Sequence, residues 1–377
     1  MHIKLGQKLI DIIRGKNINN TINLPIYCVP FRKPKTVYKT LICPTGFGHS
    51  GSGTLLDYFA EFTNTTVLGG YDPDSSGYAT QYGNTAICEI DLFRAAGSVL
   101  DMEKVFGTAG YFQDDLAVKL FLHIAEHFYR KGLIYTDYFW QLTNEFVDKI
   151  VDIKLESPNS FEGLFFLRLL SARKKFKNLH SPLLVDTTSP RYIYYLKNLT
   201  VKEYRSIAKE YISKFLKSIE SKEFLVCDQM LTLSKPETDR LLDYFGDFKQ
   251  ICVYRDPRDM YVTGVTRNDT NWMAKNPHDF VKWFAHRGVP AYFHAEPHPN
   301  RLLIRFEDFV LNYDEVSKQI NEFVGIDESK HTYKQQYFNP DISRKNIGIY
   351  KNYEKQDEIQ YIEKELKEYC YYEEIIK

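Results

Sequence analysis

Four glycines fall within eight residues, at Gly46, Gly48, Gly51 and Gly53, among the hydroxyls of Ser50, Ser52 and Thr54 and the imidazole of His49. Glycines let a backbone close on an anion with no Cβ in the way, so that successive N–H groups point at one phosphate. The ATP-type pattern G-x-x-x-x-G-K-(S/T) is not met. Gly46 to Gly51 has its spacing, but Ser52 stands where lysine belongs. A second anion-seeking group lies far along the chain, where Arg255 is followed eight residues later by Thr263. A guanidinium fork and a hydroxyl so placed can hold one phosphate between them. The bland alternatives are a flexible loop that binds nothing and a surface salt-bridge cluster at Arg255-Asp256-Pro257-Arg258-Asp259.

The elements around these residues decide between the readings. Thr40 to Cys43 is a short apolar run that predicts a buried strand. Leu55, Leu56, Phe59 and Phe62 recur at helical spacing, so a helix starts near Thr54. Strand, glycine loop and helix together aim a helix N-terminus at a phosphate. Arg255 follows the apolar strand Gln250 to Tyr254, at the carboxyl end where open α/β sheets bind ligands. Further strands are predicted over Thr65–Leu68, over Leu183–Val185 running into Asp186, over Phe224–Cys227 running into Asp228, and over Arg301–Phe306. Helices are predicted over 112–130, 139–153, from the Thr200/Glu203 capping box to about 221, after Ser234 and Glu237 with Pro236 in the first turn, and over 313–324 and 354–375. Short all-apolar strands alternating with helices indicate an α/β fold: a P-loop-type parallel sheet with helices on both faces and a helical insertion at about 110–180. The insertion, with a glycine- and tyrosine-rich loop over 69–84, is expected to shape an acceptor cleft. Residues 1–35 read as an amphipathic helix and linker, and 36–377 as a single domain.

Composition excludes several classes. Lys+Arg and Asp+Glu balance at 49 each in 377 residues, which leaves no bulk basic charge for a nucleic-acid partner. Six scattered cysteines without C-x-x-C spacing fit a reducing, cytoplasmic setting better than a disulfide framework or a zinc site. His123 and His127 lie four apart on a helix but have no third ligand, so no metal is expected. No apolar run is long enough to span a bilayer, and the basic amphipathic residues 1–16 suit a docked helix, with peripheral membrane contact as the alternative. Oligomeric state is not legible.

With these residues in view, the chain resembles the sulfotransferases that use 3′-phosphoadenosine-5′-phosphosulfate (PAPS). Ser52-Gly53-Thr54, within Gly48 to Thr54, is similar to their P-K-S-G-T-T loop for the 5′-phosphosulfate. Arg255 and Thr263 match the R-(D/N)-P-x-D strand end and later serine that hold the 3′-phosphate, with Thr for Ser. Arg305-Phe306-Glu307-Asp308 followed by Phe323-Val324-Gly325-Ile326 looks like the family's R-(F/Y)-E-D-L … F-L-G segment. Arg344-Lys345-Asn346-Ile347-Gly348-Ile349-Tyr350-Lys351-Asn352 is similar to its R-K-G-x-x-G-x-W-K-N loop, one residue shorter and with Tyr for Trp. The resemblance implies that Gly48, His49, Ser50, Gly51, Ser52, Gly53, Thr54, Arg255, Thr263, Arg344 and Lys345 bind the donor.

Two departures shape the expected chemistry. Gly51 occupies the position of the family's loop lysine, which leaves His49 as the nearest source of a proton or positive charge, helped by Lys345 or Lys351. The strand-end histidine of the small-molecule branch is also missing. Cys88-Glu89-Ile90-Asp91-Leu92-Phe93 instead looks like the E-x-x-F-F segment of the glycan-modifying branch, whose glutamate is the catalytic base. Glu89 is therefore the first candidate base, followed by Asp186 and Asp228, and a hydroxyl (or amine) of a carbohydrate or glycan precursor is the expected acceptor. A P-loop small-molecule kinase and a non-catalytic nucleotide-binding module are the competing readings.

Overall fold

The computed structural model describes residues 33–68, 71–72, 77–78, 99–100, 102–106, 111–130, 137–156, 192–227, 235–267 and 273–372. At its centre is strand β1, Thr40–Gly46, followed by the glycine loop and helix α1, Gly53–Ala60. Strand β2 (Thr65–Leu68) comes next, and a short antiparallel pairing joins β3 (Tyr71–Asp72) to β4 (Gly77–Tyr78). Helices α2 (Tyr111–Arg130) and α3 (Asp137–Ile150) lead into β5 (Val151–Glu156), which pairs antiparallel with β6 (Tyr192–Leu196). The remaining elements are α4 (Val201–Leu216), β7 (Phe224–Cys227), α5 (Thr238–Phe245), β8 (Phe248–Tyr254) and α6 (Pro257–Thr266). They continue with α7 (Pro277–His286), α8 (Val289–Phe293), β9 (Arg301–Arg305), α9 (Phe306–Leu311), α10 (Tyr313–Val324), α11 (Pro340–Ser343) and α12 (Gln356–Glu365).

The main sheet has five parallel strands in the order β2-β7-β1-β8-β9. Alternate side chains of β1 enter different cores, as the two-residue period of a strand requires. Leu41 and Cys43 pack with α2, α3, α4 and α5, whereas Ile42 packs with α1, α9 and α10. Burial on both faces explains why these strands read as unbroken apolar runs. A third cluster joins Phe47 and Cys252 to α6, α7 and α12 beside the glycine loop.

Several boundaries differ from expectation. The helix predicted over 139–153 stops at Ile150, because the β-branched Val151 and Ile153 pair with β6. The Thr200/Glu203 capping box forms as expected, but α4 ends at Leu216 rather than near 221. α5 begins at Thr238 with Glu237 as N-cap, so Pro236 precedes the helix instead of lying in its first turn. The last helix is confined to Gln356–Glu365, where Ile359 and Ile362 dock on the third core; Leu366 has left helical geometry and a 3₁₀ turn follows at Lys367–Tyr369. The strand expected at 183–186 and the N-terminal amphipathic helix lie outside the described residues. Among the described residues, no helix is long and apolar enough to cross a membrane.

Candidate active site

The glycine loop takes its shape from three left-handed residues, Gly48 (φ 89°), His49 (φ 54°) and Gly51 (φ 94°). His49 holds a conformation that side-chain-bearing residues seldom adopt. Ser50 accepts a hydrogen bond from Phe47 N (3.0 Å), and Thr54 donates to Gly51 O (2.6 Å), so the hydroxyls fasten the loop to itself. A Cβ on Gly51 would collide with the Phe306 ring. The family's loop lysine is thus excluded here by backbone conformation and by an aromatic ring lying against the loop.

Arg255 joins this loop to two distant segments. Its guanidinium, on a residue 5% exposed, donates from Nη1 to His49 O (3.1 Å) and to Thr263 Oγ1 (3.4 Å), and from Nη2 to Asn346 O. The Phe306 ring lies 5.2 Å from its carbon centre. Its nearest carboxylate is Asp259, at 3.9 Å. Burial pulls the Arg255 pKa below its ordinary value, while Asp259, Glu307 and Asp256 oppose that shift. Nε is buried and has no hydrogen-bond partner among the described residues. A desolvated guanidinium with an unsatisfied donor is a site prepared for an anion.

Two residues of the R-D-P-R-D run organise the surroundings. Asp256 caps α6 by accepting from Arg258 N (2.8 Å), and Pro257 occupies the first helical position. Asp259 receives the amides of Gly348 (2.7 Å) and Tyr350 (3.1 Å) and so holds the 344–352 segment over Arg255. Burial raises its carboxyl pKa, with Arg255 and the two amides pulling the other way. Glu307 is fully buried and accepts from Asp256 N (2.9 Å), and burial pushes its carboxyl up to about 7.

The predicted donor residues therefore largely converge. The loop residues Gly48, His49, Ser50, Gly51, Ser52, Gly53 and Thr54 follow the carboxyl end of β1, and Arg255, at the carboxyl end of β8, bridges His49 O to Thr263. Arg344 and Lys345 lie exposed on the 3₁₀ turn that carries Asn346. Arg344 also lines an open cleft of about 420 Å³ with Asn312, Asp314, Glu315 and Asp341. Glu89, Asp186 and Asp228 lie outside the described residues. Sequence reasoning gave no role to Asp259, Phe306 or Glu307. Asp259 closes the R-(D/N)-P-x-D motif that Arg255 opens, and that place in the motif is the signal that could have exposed it. Among the described residues, no group of three His, Cys, Asp or Glu side chains is placed to hold a metal.

Comparison with known proteins bears on this geometry. The family described as "Sulfotransferase domain" matches residues 165–366. The sulfotransferase domain of the olefin synthase from Synechococcus PCC 7002 aligns with 89% of this chain and 97% of its own, at 11% identity and a TM-score of 0.35. Sulfotransferase STF9 from Mycobacterium avium aligns with 89% of this chain and 76% of its own, at 11% identity and a TM-score of 0.33. No curated protein sequence matches the chain.

Proposed function

This chain belongs to the sulfotransferase domain family, and from that premise we propose that it moves a sulfuryl group from PAPS to a hydroxyl of a carbohydrate or glycan precursor. Membership of the family makes the protein an enzyme of sulfuryl transfer, and the donor and acceptor named here are our own reading. The observation that carries the donor assignment is the junction of Arg255 with the glycine loop and the 344–352 segment. Its buried, unsatisfied Nε fits an anionic group, and at Gly53, where the loop enters α1, the space a Cβ would occupy is open. Arg255 and Thr263 would hold the 3′-phosphate, and the amides of residues 48–54 the 5′ end.

The donor supplies an activated sulfuryl group. The protein must align an acceptor oxygen with sulfur, remove that oxygen's proton, and balance charge on the departing phosphate. We assign the proton to Glu89, with Asp186 and Asp228 as the alternatives, and the charge balance to His49 with Lys345 or Lys351. The resemblance of 88–93 to the glycan-modifying branch supports both the base and the acceptor class.

Two measurements test this reading. In calorimetry, the protein should prefer adenosine 3′,5′-bisphosphate to both adenosine 5′-monophosphate and ATP, without magnesium. Arg255→Ala should erase about 10- to 150-fold of that preference, the scale of a charge-assisted contact. Equal weakening of all three nucleotides would sink the assignment. In sulfate transfer to a glycan panel, Glu89→Gln should bind donor normally and lose about 10²–10⁴-fold in turnover, the scale of a general base. Retained activity would move the base to Asp186 or Asp228. No transfer to any glycan, with donor binding intact, would remove the carbohydrate reading.

A further inference from the structure

Arg258 takes no part in the contacts between Arg255 and the glycine loop, yet it is only 2% exposed and carries a dense set of partners. Its Nε lies 3.1 and 3.2 Å from the two Asp256 carboxylate oxygens, and its Nη2 lies 2.7 Å from Oδ2. The paired side chains then grip both main-chain groups of one residue in the 366–372 stretch. Tyr371 N donates to Asp256 Oδ2 (2.8 Å), and Tyr371 O accepts from Arg258 Nη2 (2.8 Å). Glu363 on α12 adds an ion pair to Nη1 at 3.1 Å. The flat guanidinium is also covered by rings: Tyr350 lies 4.0 Å from its carbon and Tyr372 lies 5.0 Å from it.

Tyr350 connects this cluster to the donor site. Its ring lies on Arg258, and its N–H is held by Asp259, which also holds Gly348 N. The same segment supplies Asn346 O to Arg255. We propose that the Asp256–Arg258 pair, locked by the Tyr371 main chain and the Tyr372 ring, is a positioning clamp for the 344–352 segment. Arg258 is then a positioning residue for the 3′-phosphate subsite, and residues 371–372 belong to that subsite although they do not line it. The inference rests on the donor assignment made above. The chemistry selects arginine: only a planar fork can bond a carboxylate and a carbonyl in its plane while offering its face to an aromatic ring. A lysine at 258 keeps the charge and loses both properties.

The test pairs Arg258→Lys with Tyr372→Ala, whose ring is 46% exposed and outside the buried core. Hydrogen exchange over 344–352 and the ratio of affinities for adenosine 3′,5′-bisphosphate and adenosine 5′-monophosphate are measured on the full chain. Both variants should accelerate exchange at Gly348 and Tyr350 and lower the affinity ratio by about 3- to 10-fold, the scale of a stacked guanidinium contact. Unchanged exchange, an unchanged ratio, or equal weakening of both nucleotides overturns the clamp. Should Arg258→Lys fail to fold, Tyr372→Ala decides by the same readings. A wild-type protein with no preference for the bisphosphate overturns the donor assignment and the clamp together. A wild-type preference that both variants keep overturns the clamp alone.

Discussion

At the scale of single residues, the site is dominated by buried charges. Arg255 is a buried cation whose hydrogen-bonded partners are main-chain carbonyls and a hydroxyl, with its nearest carboxylate 3.9 Å away. Glu307 is its acidic counterpart, fully buried, with Oε2 unpaired among the described residues. Burial raises the Glu307 carboxyl from an ordinary 4.5 to about 7. The folded protein therefore binds a proton there more tightly than the unfolded chain does, and stability falls as pH rises through that interval. The loss is on the order of 3 kcal/mol and is complete above about pH 7. Glu307→Gln keeps an oxygen for Asp256 N and removes the charge. Urea denaturation of the variant should show no such decline between pH 4.5 and 7, and at pH 8 it should be more stable than the wild type. Parallel pH profiles for the two proteins would mean that Glu307 is not the titrating group.

At the scale of elements, the glycine loop and α9 are shaped for one another. Gly51 has φ 94°, and the Phe306 ring fills the space beyond its Cα. Gly51→Ala imposes two penalties, a left-handed alanine and a steric clash, together about 2–4 kcal/mol. Phe306→Ala removes only the clash. A double-mutant cycle in urea should recover about half of the Gly51→Ala loss, leaving the backbone penalty in place. Strict additivity of the two losses would show that the ring does not constrain the loop. The same geometry accounts for the missing loop lysine, since any side chain at 51 meets both obstacles.

At the scale of the whole molecule, a buried polar cluster ties α1 to the stretch that precedes the 344–352 segment. Glu61 lies at the end of α1, and its side chain meets His331 Nε2 at 2.6 Å, Tyr337 N at 3.0 Å and Phe338 N at 2.9 Å. His331 stacks on Phe62 with ring centres 4.2 Å apart, and Tyr58 meets it edge-on at 5.1 Å. These contacts close a span of 270 residues. Glu61→Ala leaves a buried imidazole, the buried Phe338 amide and the half-buried Tyr337 amide without their acceptor, at a cost of about 3–5 kcal/mol. Thermal and urea unfolding should both register that loss, with exchange over 327–338 accelerated first. A change below about 1 kcal/mol would show that the segment is held by its ring contacts alone.

The sequence by itself determined the elements that follow from local pattern. β2 and α10 were legible to the residue, and the Thr200/Glu203 capping box formed as read, because short strand-forming runs, helical spacing and capping are properties of neighbouring residues. Arg255 and the glycine loop stood out in the sequence by residue type and spacing, the family resemblance supplied their pairing, and the fold joins them through His49 O. Tertiary structure decided what no local pattern encodes. Pairing with β6 ended α3 at Ile150, and packing of Ile359 and Ile362 on the third core accompanies a last helix far shorter than its sequence pattern suggested. It placed the Arg344 side chain along an open cleft while Asn346, two residues on, met the buried guanidinium through its main-chain carbonyl. It also gave Asp259, Phe306 and Arg258 their parts, by setting them against the Gly348 amide, the Gly51 Cα and the Tyr371 main chain. The physical reason is that these contacts run to backbone atoms of distant segments, and a backbone atom carries no residue-specific signal in the sequence.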